Sequence, residues 1–211
     1  MKTVKLTVNE GSLDRRLSRD IALKLTSLKL IGSLTSADIL YLSDIAKNGI
    51  LEELDLSSVR LLTQSHIENI FCDSKMLQVL KLPKCDGKIF LSCFNNCVNL
   101  KEIEIIVNKD EPYLKNCFNS CPQIKKISLK ESYARFGLLY LESSFDMIAE
   151  KSCDLYVPDD YQVEYTVARG WYKFNVRKEK FRLKHIFKII SLPKDKKNNV
   201  NMINSRKKHI Y

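Results

Sequence analysis

The chain has 211 residues, 45% of them hydrophobic and 9% aromatic. That composition excludes wholesale disorder and suits one medium domain or a short array with a tail. The net charge of +10 is unevenly placed: from Lys173 onward, 13 Lys and Arg face two acids, Glu179 and Asp195, which leaves 22 basic and 23 acidic side chains in residues 1–172. The body is neutral and the tail alone is basic, so the whole-chain charge is no argument for a nucleic-acid-binding body.

The opening stretch, "MKTVKLTVNE", alternates apolar and polar residues and reads as a strand. It lacks the continuous apolar core of a secretory signal, and no run of 18 apolar residues occurs anywhere in the chain. Residues 1–24 are assigned to an N-terminal capping segment.

From Leu25 onward a pattern of apolar-x-x-apolar-x-apolar recurs. It falls at Leu25/Leu28/Leu30, Leu51/Leu54/Leu56, Leu77/Leu80/Leu82, Leu100/Ile103/Ile105 and Ile124/Ile127/Leu129, and a degenerate sixth copy ends in Leu155 and Val157. Successive copies are 26, 26, 23, 24 and 28 residues apart. Six residues before the leading position stand Ile45, Phe71, Phe94 and Phe118; three before it stand Asn48, Ser74, Cys97 and Cys121.

The alternating part of each copy predicts a short strand. Copies that cannot bury their apolar faces singly do so by stacking. Leu28, Leu54, Leu80, Ile103 and Ile127 are expected in one inward row, with Leu30, Leu56, Leu82, Ile105 and Leu129 in the next. Each buried leucine or phenylalanine contributes about 1.5–3 kcal/mol. The array spans residues 25–158, followed by a C-terminal cap over 159–178 and the basic tail over 179–211.

The segments that return the chain to the next strand differ. "TSADILYLSDIAKNG" predicts a helix capped at Ser36 and ending at Gly49. "TQSHIENIFCDS" predicts a second helix, and "PKCDGKIFLSCFNNC" a turn at Pro83 and Gly87 followed by a short helix.

Four cysteines, Cys93, Cys97, Cys117 and Cys121, form two C-x3-C pairs 24 residues apart. This spacing admits zinc ligation or a disulfide, and it also follows from the repeat alone, since Cys97 and Cys121 share one slot and Cys93 and Cys117 another. The repeat account is the simpler and expects no metal and no cofactor. His66, His185 and His209 belong to no catalytic motif and no phosphate-binding glycine loop is present, so the chain reads as non-enzymatic with no small-molecule substrate.

The repeats resemble the BspA-like leucine-rich repeats of bacterial surface proteins, whose unit runs L-x-x-I-x-L-P, a variable turn, then A-F-x-x-C-x-x-L. Leu80-Lys81-Leu82-Pro83, Cys93-Phe94-Asn95-Asn96-Cys97-Val98-Asn99-Leu100 and Cys117-Phe118-Asn119-Ser120-Cys121-Pro122-Gln123-Ile124 carry the likeness. "CDLYVPDDYQVEYTVARGWYKF" is similar to the family's closing unit, with its Tyr-bearing helix and Trp cap. The resemblance covers about Leu25 to Val176. It implies an α/β fold, a right-handed leucine-rich solenoid of about six coils with a short parallel ladder on its concave face. It also implies a protein-binding or adhesive role at a bacterial cell surface.

The outward positions of the predicted strands then become the candidate contact surface for a protein or other macromolecule. The central row is Lys29, Asp55, Lys81, Glu104, Ser128 and Tyr156, and a flanking row includes Glu53, Glu102 and Lys126. Signs alternate along the central row, which predicts pairing within it. The tail, "KEKFRLKHIFKIISLPKDKK", mixes apolar and basic residues and admits three roles: a cap on the array, a contact with an anionic membrane or partner, or a contact with nucleic acid.

Overall fold

The computed structural model describes residues 3–63, 66–84, 90–106, 114–130, 144–145, 148–158, 162–167 and 171–178. The predicted basic tail, Gly87 and Cys85 lie outside the described residues.

The fold is α/β, with an open, parallel eight-stranded sheet and few helices. Its strands are β1 (Thr3–Val8), β2 (Ser27–Leu34), β3 (Glu53–Leu61), β5 (Val79–Lys81), β7 (Glu102–Ile106), β9 (Lys126–Lys130), β10 (Asp154–Val157) and β11 (Asn175–Lys178). They lie side by side in chain order, β1-β2-β3-β5-β7-β9-β10-β11. A second sheet is made of three two-residue strands, β4 (Ile67–Glu68), β6 (Phe90–Leu91) and β8 (Leu114–Lys115), also parallel.

Register is set by apolar alternation. Val4, Leu28, Leu54, Leu80, Ile103, Ile127, Leu155 and Val176 are Cα partners in one unbroken row. The six residues from Leu28 to Leu155 are at most 1% exposed. Leu30, Leu56, Leu82, Ile105, Leu129 and Val157 are buried beside them. A one-residue slip would turn every one of these side chains to water, so the apolar pattern locks the ladder. Both predicted inward rows are therefore present, and each gains a residue from β1.

The return segments only partly follow expectation. The first contains α3 (Ser36–Asn48), which buries Ile39, Leu42, Ile45 and Ala46. Its cap is Thr35 rather than Ser36: Thr35 Oγ1 accepts from the Asp38 amide, and Asp38 Oδ2 accepts from the Thr35 amide at 2.9 Å. Asp38 reaches further, accepting from the amides of Gly11 and Leu13 at 2.9 and 3.0 Å, and so fastens the segment around α1 (Leu13–Arg16), which α2 (Arg19–Ala22) follows, to α3.

The second and third returns are not helical where they are described. Each is a two-residue strand followed by turns. The reason lies in the backbone. Asn69, Phe71 and Asp73 have positive φ, as do Ser92, Phe94 and Asn96, and again Asn116, Phe118 and Ser120. A left-handed residue at every second position is incompatible with a helix.

The phenylalanines of these turns stack. Ring centroids are 5.1 Å apart for Phe71–Phe94, 5.5 Å for Phe94–Phe118 and 5.2 Å for Phe118–Phe145. Phe145 meets Phe174 edge-on, and Phe174 and Trp171 join Tyr165 of α4 (Gln162–Val167) in closing that end of the core. Phe145 thus fills the phenylalanine slot ahead of the sixth copy. Cys153, fully buried, takes the leading apolar place one residue late.

Candidate functional site

The outward face of the eight-stranded sheet gathers every predicted contact residue. Lys5, Lys29, Asp55, Lys81, Glu104, Ser128, Tyr156 and Arg177 are successive register partners. Thr3, Ser27, Glu53, Val79, Glu102, Lys126, Asp154 and Asn175 form the adjoining row. Strand geometry alone produces this, because alternate side chains leave on opposite sides.

From β2 to β11 the charges of the face are largely closed pairs. Lys29 Nζ donates to Asp55 Oδ2 at 2.6 Å, and Lys81 Nζ lies 3.6 Å from Glu53 and 3.7 Å from Asp55. Lys126 Nζ donates to Glu102 at 2.7 Å and sits 5.8 Å from the Tyr156 ring centroid. Lys130 stands 3.8 Å from Glu104, and Arg177 3.5 Å from Asp154. Pairing therefore runs across rows as well as along them. Glu104 engages Lys130 rather than its row neighbour Lys81, a diagonal reach that depends on side-chain length and that row-by-row reading of the sequence missed.

Asp55 differs from the other charges. Its side chain is only 7% exposed. It accepts from Lys29 and also from the Ser57 amide and hydroxyl at 3.0 and 2.6 Å. Ser57 is where β3 carries one residue more than β2, since the register shifts between Lys29 and Ile31. The carboxylate therefore braces a β-bulge. Burial pushes the Asp55 carboxyl upward, but the bonds from Lys29 and Ser57 together outweigh it and leave it below the usual range. The remaining pairs have side chains 26–57% exposed and contribute at most about 1 kcal/mol each.

The four cysteines are buried, away from this face. Cys97 Sγ donates to the Phe71 carbonyl and Cys121 Sγ to the Phe94 carbonyl, one turn earlier in each case. Ser74, in the same slot, donates to Phe71. The slot thus takes a small side chain with a donor. Cys93 and Cys117 donate to the carbonyls of Ile67 and Phe90. Contact with Cys117, then burial, pushes the Cys93 thiol up; Cys121, then burial, does the same to Cys97. The six described cysteines are free thiols. Among the described residues no cluster of three or more His, Cys, Asp or Glu is placed to hold a metal, and no helix is long and apolar enough to cross a membrane.

The arrangement offers chemistry for recognition: a half-exposed plane of alternating charge, hydroxyls and one aromatic ring, spread over strands held in fixed register. No protein-family model matches the chain, and no curated protein matches it.

Proposed function

We propose that the chain is a leucine-rich repeat solenoid of the BspA-like kind, a non-catalytic module that binds a protein or other macromolecule on the outward, concave strand face, in an adhesive role at a bacterial cell surface. The observation that carries this reading is the continuity of the outward rows across eight parallel strands. They give an extended, rigid surface whose side chains can vary without disturbing the core. The resemblance of the two Cys-Phe-x-x-Cys turns to that family supports the same reading.

The test places a photo-crosslinking residue at Tyr156 and, separately, at exposed Glu68 of the three-stranded sheet. Partner capture from Tyr156 alone is the expected result. Equal capture from both positions overturns it.

A second reading, contact with nucleic acid or an anionic membrane through residues 179–211, rests on the 13 Lys and Arg beyond residue 172. Deleting 179–211 separates the two: binding through the strand face survives the deletion, while binding through the tail is lost and falls steeply with salt.

A further inference from the structure

We propose that the free edge of β1 receives an extended acidic segment of another protein, added to the sheet as a ninth strand. β1 is the outer strand on its side of the sheet, and among the described residues none pairs with its far edge. The Val8 carbonyl points toward β2, because a Cβ placed on Gly32 of that strand would lie 2.2 Å from it. Backbone groups alternate sides along a strand, so those of Thr3, Lys5 and Thr7 face outward. The Thr7 carbonyl indeed accepts from Arg16 Nη1 at 2.8 Å instead of from a strand. The groups of Lys5 present a donor and an acceptor to whatever extended chain arrives.

The side chains give the occupant its character. Val4 and Leu6, inward members of the two core rows, are only partly buried and pack against the core. An incoming strand with apolar residues at matching positions would complete both rows. Lys5 is exposed, and among the described residues it has no acidic partner, whereas the other cations in its row, Lys29, Lys81 and Arg177, each face an acid. Arg16, at the same edge, also lacks one among the described residues. The incoming strand should therefore alternate apolar residues with Asp or Glu.

Self-association fits less well. Stacking β11 of a second copy on β1 would bring Arg177 opposite Lys5, and pairing two β1 strands would juxtapose their lysines; like charges directly opposite are unfavourable. Backbone bonds supply affinity in such strand addition and alternate side chains supply selection.

The experiment titrates the full chain against a fluorescein-labelled heptapeptide that alternates valine with glutamate. Two controls accompany it, one with lysine in place of glutamate and one with the glutamate sequence N-methylated at alternate amides. The glutamate peptide should bind about tenfold tighter than either control, and Lys5→Glu should weaken it about tenfold while leaving the thermal melt unchanged. Equal binding of the N-methylated peptide would mean simple ionic attraction, as to the basic tail, and overturns the proposal. So does an unchanged affinity in Lys5→Glu, absence of binding, or a dimer in light scattering that Lys5→Pro dissolves. None of these outcomes bears on the Tyr156 cross-link, so this proposal and the strand-face reading fail separately.

Discussion

Two buried carboxylates and a set of left-handed residues concentrate the residue-scale energetics. Asp38 is opposed by burial, yet the amides of Thr35, Leu13 and Gly11 and the Thr35 hydroxyl hold its carboxyl below the usual range. Asp55 behaves likewise. A depressed carboxylate adds stability that is present above the unfolded value, about pH 4, and is lost as pH falls through the folded one. Unfolding melts should therefore be flat between about pH 5 and pH 8, below the ordinary thiol range, and collapse below about pH 4. Asp38→Asn should cost about 1–3 kcal/mol at pH 7 and make the acid limb shallower, because three amide donors lose a charged acceptor. The left-handed turns make a second prediction. Ser120, exposed at φ 58°, tolerates glycine, while Ser120→Val should destabilise by about 1–2 kcal/mol in denaturant titration. None of these left-handed positions was legible in the sequence, since Asn, Ser and Phe do not announce positive φ as glycine does.

At the scale of elements, the strands were legible and the returns were not. Leu28, Leu54, Leu80, Ile103 and Ile127 announce their row because strand alternation has a period of two and each copy repeats it. α3 was legible from Ile39, Leu42 and Ile45 at helical spacing. The same logic misled at Ile67 and Ile70, where apolar residues serve a two-residue strand and a left-handed turn. Nothing short of the backbone distinguishes these from one helical turn. Phe145 and Cys153 escaped because they stand eight residues apart where the other copies have six, and Cys153 stands two before Leu155 where the others have three.

Two substitutions probe these elements. Phe94→Ala removes the ring between Phe71 and Phe118 and should cost about 3–5 kcal/mol by chemical denaturation. Gly32→Ala places a methyl against the Val8 carbonyl at φ +111°, and should cost at least about 2 kcal/mol and loosen β1, visible as faster amide exchange at Val4 to Val8.

At the scale of the described body, residues 3–178, every strand of the large sheet bonds to the strands next before and after it in that sheet's chain order. Stability in such an array is close to a sum of unit and neighbour terms. Excising residues 98–121 joins Cys97 to Pro122 with the repeat still in phase. The shortened chain should fold cooperatively with one strand fewer in the large sheet and a Tm lower by about 5–10 °C in calorimetry. Aggregation or loss of a cooperative transition would show that the units are not interchangeable. The sequence disclosed this organisation through its near-constant spacing. The proposed contact face was legible only as positions: which lysine serves which acid is decided by reach across strands.

The closed charge pairs on the strand face carry a kinetic consequence. A surface whose ions already answer one another projects little field beyond a Debye length, about 8 Å in physiological salt. A ligand approaching it is not drawn in from afar, so encounter should run at the unsteered rate of about 10⁵–10⁶ M⁻¹s⁻¹ and change little with ionic strength. Selectivity on that plane would then reside in how long a partner stays rather than in how quickly it arrives.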